Sequence, residues 1–253
     1  SYQNLGAAGT VVAQGASTIL SAENDVLVVK GTGGNDWFEA EQVDSVNYIN
    51  EVRLTEDSIV HLPVQFSGMR ELTIAGLEGD DHIRMVPNMW LPPVANPNPP
   101  PAQLTAMVRL TVEGGGPGDS DVVLMDHSDI RLPAGDYSVS YRPGVADDAG
   151  TVAESGNAFL DFFGVEHLQL LGNGLSDTLE LNDDLGDNTW QIAPGPAIVL
   201  AATRSAIDGR TPVDFENFAR VKFANNAGVD RFEVSPKRLT GGVYYEVVGV
   251  DTN

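Results

Sequence analysis

The chain has 253 residues, 42% of them hydrophobic, with no cysteine and 14 basic against 36 acidic side chains, a formal charge of −22. Such a length buries a substantial core. The missing cysteines exclude disulfides, thiolate metal sites and a cysteine nucleophile, and the charge disfavours nucleic acid and anionic lipid as partners.

No apolar run reaches the roughly 20 residues of a membrane span, so membrane insertion is not expected. A start at Ser1 and an end in "VVGVDTN" read as an excised or processed piece of a larger protein. The carboxylate surplus strains the compact state, and bound divalent cations would relieve that strain.

Along the chain one pattern occurs five times. The first copy, "LVVKGTGGNDWFEA", alternates at Leu27 and Val29, turns through glycines to Asp36, and resumes alternation at Phe38. Period-two alternation marks half-buried strands. "SVNYINEVRL" follows as another strand candidate, then "FSGMREL" from Phe66 leads into the second copy, "LTIAGLEGDDHIRM" at Asp81. In "VPNMWLPPVANPNPPPAQ", Val86 to Gln103, the proline density forbids a strand and predicts an inserted extended loop. Within it Trp90 is either a sticky arm or packed against the wall.

The third copy, "LTVEGGGPGDSDVVLM" at Asp121, carries two extra residues, and before it Leu104 and Met107 take the places of Phe66 and Met69. "YSVSYR" is a further strand candidate, and "FFGVEHL" from Phe162 opens the fourth copy, "LQLLGNGLSDTLEL" at Asp177. "TWQIA" and "AIVLAA" precede "FENFARV" from Phe215 and the fifth copy, "VKFANNAGVDRFEV" at Asp230, and "VYYEVVGV" follows. Successive aspartates are 45, 40, 56 and 53 residues apart, a length suited to units of several short strands. The expectation is a single all-β domain over residues 1–253, a β-solenoid or parallel β-helix of five degenerate repeats, with a β-sandwich as the alternative.

"GTGGNDWFE" (Gly31 to Glu39) and "GLEGDDHIR" (Gly76 to Arg84) resemble the nonapeptide G-G-x-G-x-D-x-(apolar)-x of the RTX, or haemolysin-type, proteins, departing at Thr32 and Leu77. The phrase F-x-G-(apolar)-E-x-L-x-L-x-G is similar to longer repeats of very large secreted planctomycete and cyanobacterial proteins. The resemblance implies calcium held by Asp36, Asp81, Asp121, Asp177 and Asp230, with Asp80, Asp119 and Glu78 as contributors. In that family one turn supplies about half the ligands of a calcium ion and a neighbouring turn the rest. Here the nonapeptides stand singly, Leu175 and Asn225 replace glycines, and Ser120 stands where the literal "GGPGDS" would have its aspartate. The residues themselves leave another role open, in which the carboxylates accept turn amides and fix a corner between strands.

Catalytic signals are sparse. Histidines occur only at His61, His82, His127 and His167, with no HExxH and no G-x-S-x-G. His82 and His167 are expected on exposed faces. "GDSD" (Gly118 to Asp121) resembles an esterase nucleophile block but falls inside a corner. Asp126, Asp129, Asp183, Asp184 and Asp187 are dense enough for a carboxylate pair, with solvated acidic loops as the favoured alternative.

The expected function is a non-catalytic structural or adhesive segment of an extracellular or bacterial cell-surface protein, calcium-stabilised, with neighbouring repeats and surface glycans or matrix as partners. The alternative is a carbohydrate-active β-helix, which would show exposed aromatics beside carboxylates. Trp37, Trp90, Trp190, Tyr137 and Tyr141 are the residues that decide.

Overall fold

Alternating apolar and polar residues make strands throughout the described residues, and the one helical element among them is a 3-10 turn at Pro87–Trp90. The computed structural model describes residues 11–14, 26–45, 49–56, 58–61, 63–67, 69, 71–90, 109–116, 120–129, 136–154, 158–174, 176–184, 186–198, 202–207, 209–224, 227–235 and 244–248. The first strands are β1 (Val11–Gln14), β2 (Val26–Lys30), β3 (Asp36–Asp44), β4 (Ile49–Glu56), β5 (Ile59–Val60), β6 (Val64–Ser67), β7 (Glu71–Leu77) and β8 (His82–Met85). Then come β9 (Arg109–Gly115), β10 (Val122–Asp126), β11 (Ser138–Pro143), β12 (Gly150–Glu154), β13 (Ala158–Phe163), β14 (His167–Leu171) and β15 (Thr178–Asn182). The last are β16 (Thr189–Pro194), β17 (Thr203–Ile207), β18 (Val213–Glu216), β19 (Arg220–Ala224), β20 (Arg231–Val234) and β21 (Tyr244–Val248).

The chain is all-β and builds two large mixed sheets. A 12-stranded sheet runs β1-β6-β4-β3-β8-β10-β14-β18-β17-β16-β20, with β5 beside β4, and a 9-stranded sheet runs β2-β7-β9-β13-β12-β11-β15-β19-β21. Strands reached by crossing from the other sheet pair in parallel, whereas three meanders within one sheet, β3-β4-β6, β11-β12-β13 and β16-β17-β18, pair antiparallel. Two separate sheets sharing one core are common ground between the solenoid and sandwich expectations.

The apolar positions of the first three copies stack in register. Leu27 pairs with Leu72 and Leu72 with Leu110, while Val29, Ile74 and Val112 form the next row. After the aspartates, Phe38, Ile83 and Val123 align across β3, β8 and β10. These residues join one hydrophobic cluster fed by both sheets. The fourth copy departs from this stacking. Its Leu168 and Leu170 lie on β14 beside Val123 and Met125, and its later strand β15 lies in the smaller sheet. The cause is the β11-β12-β13 meander, which holds the chain in the smaller sheet, so the next crossing runs in the opposite sense.

Phe66, Phe162 and Phe215 are buried at 1%, 0% and 3% exposure, each at the end of a meander. Two residues after the second and third, Gly164 and Asn217 adopt left-handed φ of 62° and 61°, and the next residues, Val165 and Phe218, turn back into the core. This is why the pattern places Gly or Asn there, the residues that tolerate such angles best. The expected loop from Val86 begins later than its prolines suggest. Val86 is buried and donates its N–H to Ala40 O at 2.9 Å, and Asn88 and Met89 are buried too. Residues 91–103, Leu104 and Met107 lie outside the described residues.

Asn217 is exposed, so replacing it tests backbone strain alone. Asn217→Ala is expected to cost about 1 kcal/mol in urea unfolding and Asn217→Gly close to nothing. Phe162→Ala should cost about 3–5 kcal/mol by the same measurement.

Candidate functional site at the aspartate corners

Each repeated aspartate sits where the chain leaves one sheet for the other. Asp36, Asp81, Asp121 and Asp177 are 2%, 1%, 0% and 0% exposed, and a carboxylate so deep in protein must be hydrogen-bonded. Part of the satisfaction is local: Thr32 N–H donates to Asp36 Oδ2 at 2.6 Å and Asn173 N–H to Asp177 Oδ2 at 2.7 Å. The rest comes from the neighbouring copy. Asp36 N–H donates to Asp81 Oδ1 at 2.8 Å, and Asp81 N–H donates to Asp121 Oδ1 at 2.7 Å. Asp121 N–H continues the row to Glu166 Oε2 at 2.9 Å. Two further corners repeat the link, Tyr137 N–H to Asp177 Oδ1 at 2.9 Å and Asn188 N–H to Asp230 Oδ1 at 2.8 Å.

These five links span 45, 40, 45, 40 and 42 residues, so the structural period stays near one value while the aspartate spacing does not. Asp177 and Asp230 pair with Tyr137 and Asn188 rather than with the preceding aspartates, which accounts for the long intervals between them. Glu166, Tyr137 and Asn188 were hidden from a search for aspartates, since two of the three contribute only a main-chain N–H.

A second row lies one residue outward and runs the other way. Asp80 N–H donates back to Asn35 Oδ1 at 3.0 Å, and Ser120 N–H to Asp80 Oδ1 at 2.9 Å. Val229 N–H donates to Asp187 Oδ1 at 2.8 Å in the same sense. Asp80 and Glu78 are exposed, and Asp119 lies outside the described residues. The "GDSD" segment is thus spent on the corner: Ser120 gives its amide to the outer row and Asp121 its carboxylate to the inner one.

The recurrent glycine that opens four of the five turns is a matter of space. A Cβ on Gly31, Gly76, Gly114 or Gly172 would collide with or crowd the Oδ2 of Asp36, Asp81, Asp121 or Asp177, and also meet a backbone carbonyl of the next copy. The motif's glycine and aspartate are therefore two halves of one contact.

Calcium coordination needs six to eight oxygens turned inward, and these corners fit it poorly. N–H groups are aimed at an oxygen of each carboxylate, and the aspartates' own carbonyls are taken at three corners: Asp81 O accepts Val122 N–H at 2.8 Å, Asp121 O accepts His167 N–H at 3.0 Å and Asp177 O accepts Ala219 N–H at 3.0 Å. A cation there would face the positive ends of N–H dipoles. Among the described residues no three His, Asp or Glu side chains gather as a metal site.

The other candidates separate on the outer face of the larger sheet. Arg84 reaches across three strands, with Nη1 on Glu39 and Nη2 on Asp126 at 2.7 Å and Asp129 at 3.1 Å. Arg53 Nε lies 2.6 Å from Glu51, and its Nη atoms lie 3.4 Å from Glu41 and 3.5 Å from Glu39. Two of the expected solvated aspartates are in fact buried, Asp126 at 7%, against the guanidinium of Arg84, and Asp183 at 2%. Asp184 lies below the usual carboxylate range because Gly186 N–H, Asn188 and Arg210 hydrogen-bond its charged form. Asp187 is exposed.

His82 is half-buried rather than exposed, stacked on Trp37 with ring centroids 3.8 Å apart and planes 8° apart. Burial first, and then the charge of Arg84, lower its pKa to about 4. His127 is 1% exposed with Nε2 3.4 Å from Glu154 Oε2, and His61 Nε2 is 3.3 Å from Glu56. Of the deciding aromatics, Trp190, Tyr137 and Tyr141 are buried in or beside the core at 1%, 8% and 1%, while Trp37 is 47% exposed. The side chain of Trp90 is outside the described residues. No protein family, curated protein or solved structure matches this chain.

Asp81→Ala removes the acceptor of a buried N–H and is expected to cost about 2–4 kcal/mol in urea unfolding. Asp81→Asn keeps an acceptor oxygen and should cost about half as much. His82 is held neutral in the fold while the unfolded chain protonates near pH 6.5, so stability falls as pH drops from 6.5 towards 4 and levels off below. Urea midpoints of His82→Gln across that window should show a flatter profile than those of the parent chain.

Proposed function

We propose that this chain is a non-catalytic structural or adhesive segment of an extracellular or bacterial cell-surface repeat protein, its copies stacked as coils of a β-solenoid. One observation carries the reading: the most regularly repeated polar side chains spend their acceptors on the main chain of the neighbouring copy. Such groups hold a stack together and are not offered to a substrate. The dense carboxylates of the outer face are likewise engaged by Arg84 and Arg53, which leaves an enzymatic reading without an available acid and base there. The resemblance of the turns to haemolysin-type repeats and the acidic, cysteine-free composition support a secreted setting. In this reading N–H groups do at the corners what a cation does in the RTX turn.

Stacked coils interact only with their neighbours. Hydrogen exchange on Asp81→Ala should therefore lose protection in β2, β3, β7, β8, β9 and β10 and retain it in β19, β20 and β21. Uniform loss across both sheets would favour a cooperative sandwich and overturn the solenoid. After chelation, titration with calcium to about 5 mM should move the melting temperature by less than about 1 °C. A site filled to a hundredfold over its Kd would add about 2.7 kcal/mol and raise it by several degrees, returning calcium to the corners.

A further inference from the structure

We propose that the outer face of the larger sheet holds a slot beside Trp37 that binds an uncharged saccharide ring, a proposal that rests on the adhesive reading and gives it a partner. Trp37 is 47% exposed and Val60 74%, so both present apolar surface to solvent. On one side the register puts Trp37 against His82, whose ring stacks parallel on one face of the indole. On the other side Trp37 pairs with Thr55 of β4, and Thr55 pairs with Val60 of β5. All four side chains stand on the same face, because paired residues share it.

Thr55 is short. The indole and Val60 are therefore separated by two strand spacings, about 10 Å between strand axes, with only a threonine as floor. Val60, 74% exposed, forms the far wall. Two residues along the same face Arg53 and Glu39 are paired in register, with side chains 46% and 27% exposed, and supply donors and acceptors at one end. An apolar wall, a small hydroxyl-bearing floor and a polar end suit a flat ring with C–H on its faces and hydroxyls on its rim. An anionic sugar is disfavoured, because Arg53 is already shared among Glu39, Glu41 and Glu51 and the chain carries −22.

The test uses the whole chain at pH 7.5 in affinity gels containing laminarin, xyloglucan, galactomannan or soluble xylan, with co-sedimentation on cellulose and chitin. At least one of these neutral polysaccharides should retard or sediment the protein. Trp37→Ala should weaken that binding at least tenfold, and Thr55→Trp, which fills the slot, should do the same, both with parent-like far-UV spectra. Val229→Ser, an exposed residue elsewhere, should bind as the parent does. The proposal is overturned if no polysaccharide in the panel binds, if Trp37→Ala binds unchanged, or if binding disappears in 0.5 M NaCl, the mark of a basic peptide or other charged partner. The hydrogen-exchange experiment on the corners does not involve the slot, so failure here leaves the stacking separately testable.

Discussion

The structure turns on one interaction, a main-chain N–H at the corner of one copy donating to the carboxylate at the corner of the next. Taken singly, a buried carboxylate is a liability of several kcal/mol. At Asp177, where the amides of Asn173 and of the neighbouring copy's Tyr137 both point at it, and at Asp81, Asp121 and Asp230, where a neighbouring copy's amide does, it becomes a charge-assisted link of about twice ordinary strength. In the first four copies the glycine that opens the turn serves the same contact, since a side chain there would crowd the carboxylate. Parallel strands on either side then follow, because a link of constant span sets the corners of successive copies in register.

Basic side chains take a corresponding part on the outer faces. Arg84, Arg109, Arg204, Arg220 and Lys222 each meet a carboxylate on an adjacent strand, at the separations expected for neighbours in a ladder. The more exposed of these pairs, those of Arg109, Arg220 and Lys222, contribute little singly. For a chain at −22 their effect lies in where the positive charge is placed, between rows of carboxylates that would otherwise repel across about 4.8 Å.

Much of the strand pattern was legible in the sequence. Leu72, Ile74 and Ile83 were recognisable as core by alternation alone, whereas the left-handed corners at Gly164 and Asn217 emerge only from the backbone angles. The fourth copy could not be placed, because nothing local tells which sheet a strand joins after a meander; that depends on which sheet holds the meander. Glu166 at the corner and the burial of Asp126 escaped for a related reason. A glutamate reaching as far as an aspartate, or a guanidinium enclosing a carboxylate from 42 residues away, is a property of stacking and leaves no local signature. The corner aspartates themselves were recognisable as a set, and the turn-amide role foreseen for them was half of the one they have.

The two rows of corner hydrogen bonds run in opposite senses, the inner from each copy to the next and the outer from each copy to the one before. Aligned hydrogen bonds in a single row would add their dipoles, as peptide groups do along an α-helix, and the field at the ends would grow with length. Opposed rows cancel pair by pair. A corner of this design can be repeated without accumulating polarity along its axis, so the length of such a stack is not limited by the electrostatics of its own hydrogen bonds.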